Sequence, residues 1–134
     1  MKVDGRCHCG AITYEAFIDP SKVALCHCSD CQMLTGSVYR ATVQAPRDSF
    51  KLLSGRPRTY VKTADSGTKR VHAFCPECGT PVYASAVSDP PTYSLRIGCL
   101  RQRAELAPPA KQQWCRSALS WTMNLERIPK IDRQ

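Results

Sequence analysis

Apolar and polar residues alternate with a period of two along several short stretches of the chain. Ala11-Ile12-Thr13-Tyr14-Glu15-Ala16-Phe17, Ser37-Val38-Tyr39-Arg40-Ala41-Thr42-Val43 and Thr92-Tyr93-Ser94-Leu95-Arg96-Ile97 show it most clearly. That period puts every second side chain on one face, the pattern of a half-buried strand. Shorter runs predict further strands over residues 23–26, 50–53, 58–62, 69–74 and 81–86. Turn residues separate them: Asp19-Pro20, Ala45-Pro46-Arg47-Asp48, Ser54-Gly55, Asp65-Ser66-Gly67 and Asp89-Pro90-Pro91.

One short helix interrupts the strands. Ser29 is placed to cap a turn running through Asp30-Cys31-Gln32-Met33-Leu34, and Gly36 stands where a left-handed C-terminal residue is wanted. Cys31 then falls in the first helical turn, where outward-pointing N–H groups favour thiolate over thiol. After Pro108-Pro109 the chain carries Trp114, Trp121 and Met123, expected to pack on the core as a closing strand or lid. The predicted class is therefore mostly β with one short helix, in a single domain over residues 1–134.

A chain of this length buries a real core, and 43% hydrophobic with 22% charged residues argues against disorder. The start, MKVDGRCHCG, has no apolar run of a secretory leader, and nothing later approaches the roughly 18 apolar residues of a membrane span. A cytoplasmic protein is expected. Nine cysteines at short spacings in a reducing compartment point to metal binding rather than disulfides.

The formal charge of +8 first suggests a polyanionic partner. Counting seven cysteines as thiolates on two zinc ions lowers it to +5. The carriers are also scattered in pairs, Arg56 with Arg58, Lys69 with Arg70 and Arg101 with Arg103, with no run of five or six. A solvated basic surface fits this better than a nucleic-acid footprint.

Cys7-His8-Cys9 and Cys75-Pro76-Glu77-Cys78 each hold two thiols on a tight turn, with Gly10 and Gly79 relaxing the backbone just after. Structural zinc takes four such ligands in a closed tetrahedron, and two pairs from distant segments supply them. Cys26-His27-Cys28-Ser29-Asp30-Cys31 adds a third cluster. Kept intact, the clusters divide into a saturated set of four and an unsaturated set of three. Three protein ligands and a free position are the arrangement of a reactive zinc. His27, His8, Cys99 or Cys115 could instead supply a fourth ligand and make the second site a staple; on spacing alone both readings stand. His72 lies in a strand pattern and reads as a core or surface residue, and Cys99 and Cys115, standing alone, as small buried apolar groups.

Zinc on three thiolates is formally −1, a poorer Lewis acid than zinc on three neutral histidines, so hydrolysis by a low-pKa water is disfavoured. Sulfur chemistry suits it better, with an exogenous small thiol as substrate.

Three ordered motifs also resemble a known family. Gly5-Arg6-Cys7-His8-Cys9-Gly10-Ala11-Ile12, then Cys26-His27-Cys28-Ser29-Asp30-Cys31 with Thr35-Gly36, then Phe74-Cys75-Pro76-Glu77-Cys78-Gly79-Thr80-Pro81, are similar to the glutathione-dependent formaldehyde-activating enzyme (GFA) family, which includes centromere protein V. The resemblance runs from about Gly5 to Trp121. It implies a β-tent of folded antiparallel sheets, a structural zinc on Cys7, Cys9, Cys75 and Cys78, and a catalytic zinc on Cys26, Cys28 and Cys31. It also implies condensation of formaldehyde with glutathione to S-hydroxymethylglutathione, a carbon–sulfur lyase reaction run in reverse. Two positions depart from the family pattern: Lys111 stands near a frequent His, and Cys99 replaces a small hydroxylated residue. Arg40, just past the third cluster, is the first candidate cation for the tripeptide's carboxylates. The competing reading is a non-catalytic zinc module for protein or nucleic-acid binding; a redox or metal-storage protein is a third. With no basic tail and 7% aromatic residues, nothing favours the nucleic-acid role.

Overall fold

The computed structural model describes residues 1–134. Strands β1 (Lys2–Arg6) and β2 (Thr13–Phe17) pair antiparallel, with Val3 opposite Ala16 and Gly5 opposite Tyr14. Alternate residues Val3, Gly5, Tyr14 and Ala16 are buried, as the period of two requires. β5 (Lys51–Ser54) joins the other edge of β2 and completes a three-stranded sheet.

The second sheet has seven strands. β3 (Ala24–Cys26), β4 (Arg40–Pro46), β6 (Arg58–Thr63), β7 (Lys69–Phe74), β8 (Pro81–Ala86), β9 (Thr92–Arg96) and β10 (Lys111–Gln113) lie in the order β10-β3-β4-β9-β8-β7-β6. All neighbours are antiparallel except β10, which adds to the edge of β3 in parallel. The expected class, mostly β folded sheets with one short helix after the CHCSDC cluster, is observed, with this single parallel pairing as the exception. No helix is long and apolar enough to cross a membrane.

Register assigns the two faces of the large sheet. Val43 lies opposite Leu95, and Leu95 opposite Tyr83, so these side chains share one face. That face meets Val3, Tyr14 and Ala16 of the small sheet, and Ile12, Ile18, Val82 and Leu100 close the core. Phe50 fills the seam, stacked on Tyr93 at 4.4 Å between ring centroids and tilted against Tyr14 at 5.3 Å. The opposite face carries Cys26 with Arg40 directly across from it, then Thr42 with Arg96 across from it.

Helix α1 (Ser29–Thr35) sits between β3 and β4. Its N-cap is Cys28 rather than Ser29: Cys28 Sγ accepts the Cys31 N–H at 3.3 Å, so the sulfur takes the place of the expected hydroxyl. Gly36 ends the helix as expected, at φ +62°, with Ser37 N–H donating back to Gln32 O.

The segment after Pro109 corrects the expected lid. Trp114, Trp121 and Met123 are exposed, and residues beyond Gln113 form 3-10 turns rather than a strand on the core. Cys115 is exposed too, whereas Cys99 is buried as expected.

Candidate metal centres

Cys7 and Cys9 follow β1, and Cys75 and Cys78 follow β7. Each pair sits on a turn closed by a glycine at positive φ, Gly10 at +84° and Gly79 at +74°. Backbone hydrogen bonds Gly10 N–H to Cys7 O (3.2 Å) and Gly79 N–H to Cys75 O (2.8 Å) tighten the turns. Ile12 N–H donates to Cys7 Sγ at 3.3 Å, and His8 N–H donates to Thr80 Oγ1 at 3.1 Å, tying one turn to the other. Cys78 Sγ lies 3.1 Å from that same hydroxyl, and hydrogen bonding from Thr80 and the backbone holds the Cys78 thiol well below the ordinary thiol range.

The four sulfurs lie within 4.8 Å of one another and none is in a disulfide. Cys7 Sγ is 3.6 Å from Cys9 Sγ, which is 3.8 Å from Cys75 Sγ. A tetrahedron with a metal–sulfur bond of about 2.3 Å has edges of about 3.8 Å. The donor set therefore fits a tetrahedral thiolate-bound ion. Cys7 and Cys75 are fully buried among the core residues, so this centre is continuous with the hydrophobic core.

The second cluster is built by one strand end and one helix start. Cys26 ends β3, Cys28 caps α1 and Cys31 lies in its first turn; their three sulfurs are also within 4.8 Å of one another. No histidine or further cysteine belongs to this group. His27, a possible fourth ligand by sequence, is turned elsewhere: its Nε2 meets Gln112 Oε1 at 2.7 Å, and its buried ring packs edge-on to Tyr39. Gln112 Oε1 can only accept, so Nε2 donates to it, and Nδ1 is buried without a partner. His8 is exposed beside the first cluster.

Cations surround the second cluster. Lys62 of β6 bonds Asp30 at 2.7 Å, which anchors the helix start to a strand distant in sequence. Lys62 was not legible as a site residue, because β6 is the edge strand five places from β3 in the sheet and only the folding of that sheet brings it to the helix start. Arg40, named from the sequence, lies directly across from Cys26. Arg96 is nine-tenths buried and donates from Nη2 to His72 Nδ1 at 3.2 Å. Burial, then the charges of Arg40 and Arg96, push His72 down to about 4, so it is a neutral acceptor rather than a ligand.

Folded sheets with one short helix and two sulfur clusters, four and three, define a mostly β protein whose two centres can each take a metal ion. The sequence model of the glutathione-dependent formaldehyde-activating enzymes matches residues 2–117, and the chain belongs to that family. An uncharacterized lyase of Schizosaccharomyces pombe is 30% identical over 80 residues, 60% of this chain and 55% of that protein, so the match spans about half of the relative. A crystal structure of a Rhodobacter sphaeroides protein shares the fold, with TM-score 0.63 and 23% identity over 84% of this chain and 100% of the other.

Proposed function

We propose that the chain, as one domain over residues 1–134, is a zinc-dependent carbon–sulfur lyase acting on an adduct of glutathione or a similar thiol. Formation of S-hydroxymethylglutathione from formaldehyde and glutathione is the reference reaction. The observation that carries the reading is the division of seven sulfurs into one group of four and one of three.

In this reading Cys7, Cys9, Cys75 and Cys78 hold a structural zinc, and Cys26, Cys28 and Cys31 hold a catalytic one. Zinc at the second site would supply a Lewis acid that favours thiolate over thiol at neutral pH. In the condensation a carbon–sulfur bond forms as the carbonyl π bond breaks, and the proton leaving the thiol ends on the former carbonyl oxygen. The chain's own residues set the stage. The 3.3 Å bond from the Cys31 N–H to Cys28 Sγ and the Lys62–Asp30 pair fix the cluster's backbone. Lys62, Arg40 and Arg96 offset the negative charge of three thiolates.

Two-dimensional exchange NMR on mixed formaldehyde and glutathione measures the interconversion rate. Zinc-loaded protein is expected to raise that rate above the spontaneous background, and no acceleration removes the reference reaction.

A further inference from the structure

Five arginines that are scattered in the sequence converge on one cavity of about 770 Å³: Arg6, Arg40, Arg96, Arg101 and Arg103 all line it. No aspartate or glutamate lines it. It reaches Cys7 of the four-cysteine cluster but includes none of the three sulfurs of the second. None of the five guanidinium groups is ion-paired; the chain's salt bridges all lie elsewhere.

The two arginines at the back of this cavity are an unusual expense for the fold. Arg96 is 7% exposed, and only its Nη2 has a partner; Nε and Nη1 are buried without one. Arg40 Nε and Nη2 are likewise buried and unpartnered. Burial, with the like charge of Arg40 next, pulls Arg96 down to about 9, yet it stays protonated at neutral pH. Cys31 of the second cluster and the lone Cys99 act on Arg96 through space, but neither bonds these donors. Buried guanidinium groups are ordinarily matched by carboxylate or phosphate oxygens, which satisfy charge and fork geometry together. Here the protein supplies neither.

We propose that the arginine-lined cavity binds a small, multiply charged oxyanion that carries no ammonium group. The oxygens can belong to carboxylates or to a phosphate; both present the same acceptors to the five guanidinium groups. An ammonium on the ligand would enter a field of five positive charges with no acidic side chain to receive it, and like charges so placed oppose binding. Glutathione has such an ammonium on its γ-glutamyl end. If the lyase substrate extends into this cavity, the thiol is therefore an anionic relative of glutathione rather than a zwitterion. The oxyanion site itself rests on the arginines alone, and its test uses probes without a free thiol, so its failure and that of the lyase reading are separate results.

The zinc-loaded full chain is titrated calorimetrically, and its melting temperature recorded, with inorganic phosphate and with tricarballylate at constant ionic strength in chloride. At least one of the two is expected to bind saturably and raise the melting temperature, and the tighter one identifies the head group. Arg96→Gln is expected to lose at least tenfold in affinity. Its melting temperature in chloride alone is recorded separately, because the substitution also removes the bond to His72 Nδ1 and a countercharge to Cys31, and the affinity loss is read on the folded variant. Arg101→Gln, an exposed lining residue, cannot fail merely by unfolding and is expected to weaken binding severalfold. The ammonium is tested by comparing S-methylglutathione with its N-acetyl derivative; acetylation should tighten binding about tenfold. No binding of either oxyanion, binding unchanged in both variants, or tighter binding of the free-amino probe would overturn the proposal.

Discussion

Gly5 shows how much of the fold rests on one missing side chain. A Cβ there would lie 1.9 Å from the Tyr14 ring, which crosses the strand pair over that position. Gly5→Ala is expected to cost about 3 kcal/mol or more in urea unfolding, because neither strand nor ring can yield. Tyr14→Phe should do the reverse. Its buried hydroxyl has no partner, so removing it is expected to stabilise by about 1 kcal/mol. His72 gives a pH signature. Its folded value is depressed to about 4 against about 6.5 unfolded, so the unfolded chain binds more protons between those values. The stability held above pH 6.5 is lost as pH falls toward 4, by on the order of 1–3 kcal/mol, and His72→Gln should flatten that part of the unfolding profile. At this scale the cysteine clusters were legible in the sequence because short spacing forces neighbouring sulfurs together. The arginine cavity was not: Arg40, Arg96 and Arg101 meet only through strand register and chain folding, and in the sequence Arg40 stood alone as a candidate cation while Arg101 and Arg103 read as part of a scattered basic surface.

Elements with two-residue periodicity were readable, and those held by pairing alone were not. Residues 69–74 and 81–86 form strands with the expected bounds, because buried His72, Ala73, Val82, Ala84 and Ser85 sit among strand-forming neighbours. β1 has one apolar core residue, Val3, beside Gly5 and charged neighbours, so its pattern is too thin to read. β10 is Lys-Gln-Gln, exposed throughout, and exists because β3 offers a free edge and His27 bonds Gln112 and the Gln113 carbonyl. Tryptophans in the tail misled for a related reason: hydrophobicity predicts burial only where the chain offers a surface to cover, and Trp114, Trp121 and Met123 are left about half exposed. Hydrogen bonds of residues 119–134 are local to that segment. Truncation after Ala118 is accordingly expected to leave metal content unchanged and shift stability by less than about 1 kcal/mol, as read by metal analysis and thermal unfolding.

Across the whole molecule, the two sulfur clusters differ in what they hold together. The four-cysteine cluster joins the β1–β2 turn to the β7–β8 turn, one from each sheet, and two of its sulfurs belong to the core. The three-cysteine cluster joins only β3 to the helix that follows it. Loss of the first should cost the fold; loss of the second should cost chemistry. Metal analysis of the purified chain, with circular dichroism of Cys75→Ser and Cys28→Ser, tests this division most directly. Two zinc ions are expected per parent chain. Cys28→Ser should keep its fold, hold one zinc and lose any acceleration of the formaldehyde–glutathione exchange, while Cys75→Ser should unfold far more readily. A Cys28→Ser chain that retains both ions, or that unfolds as badly as Cys75→Ser, would contradict a reactive second centre.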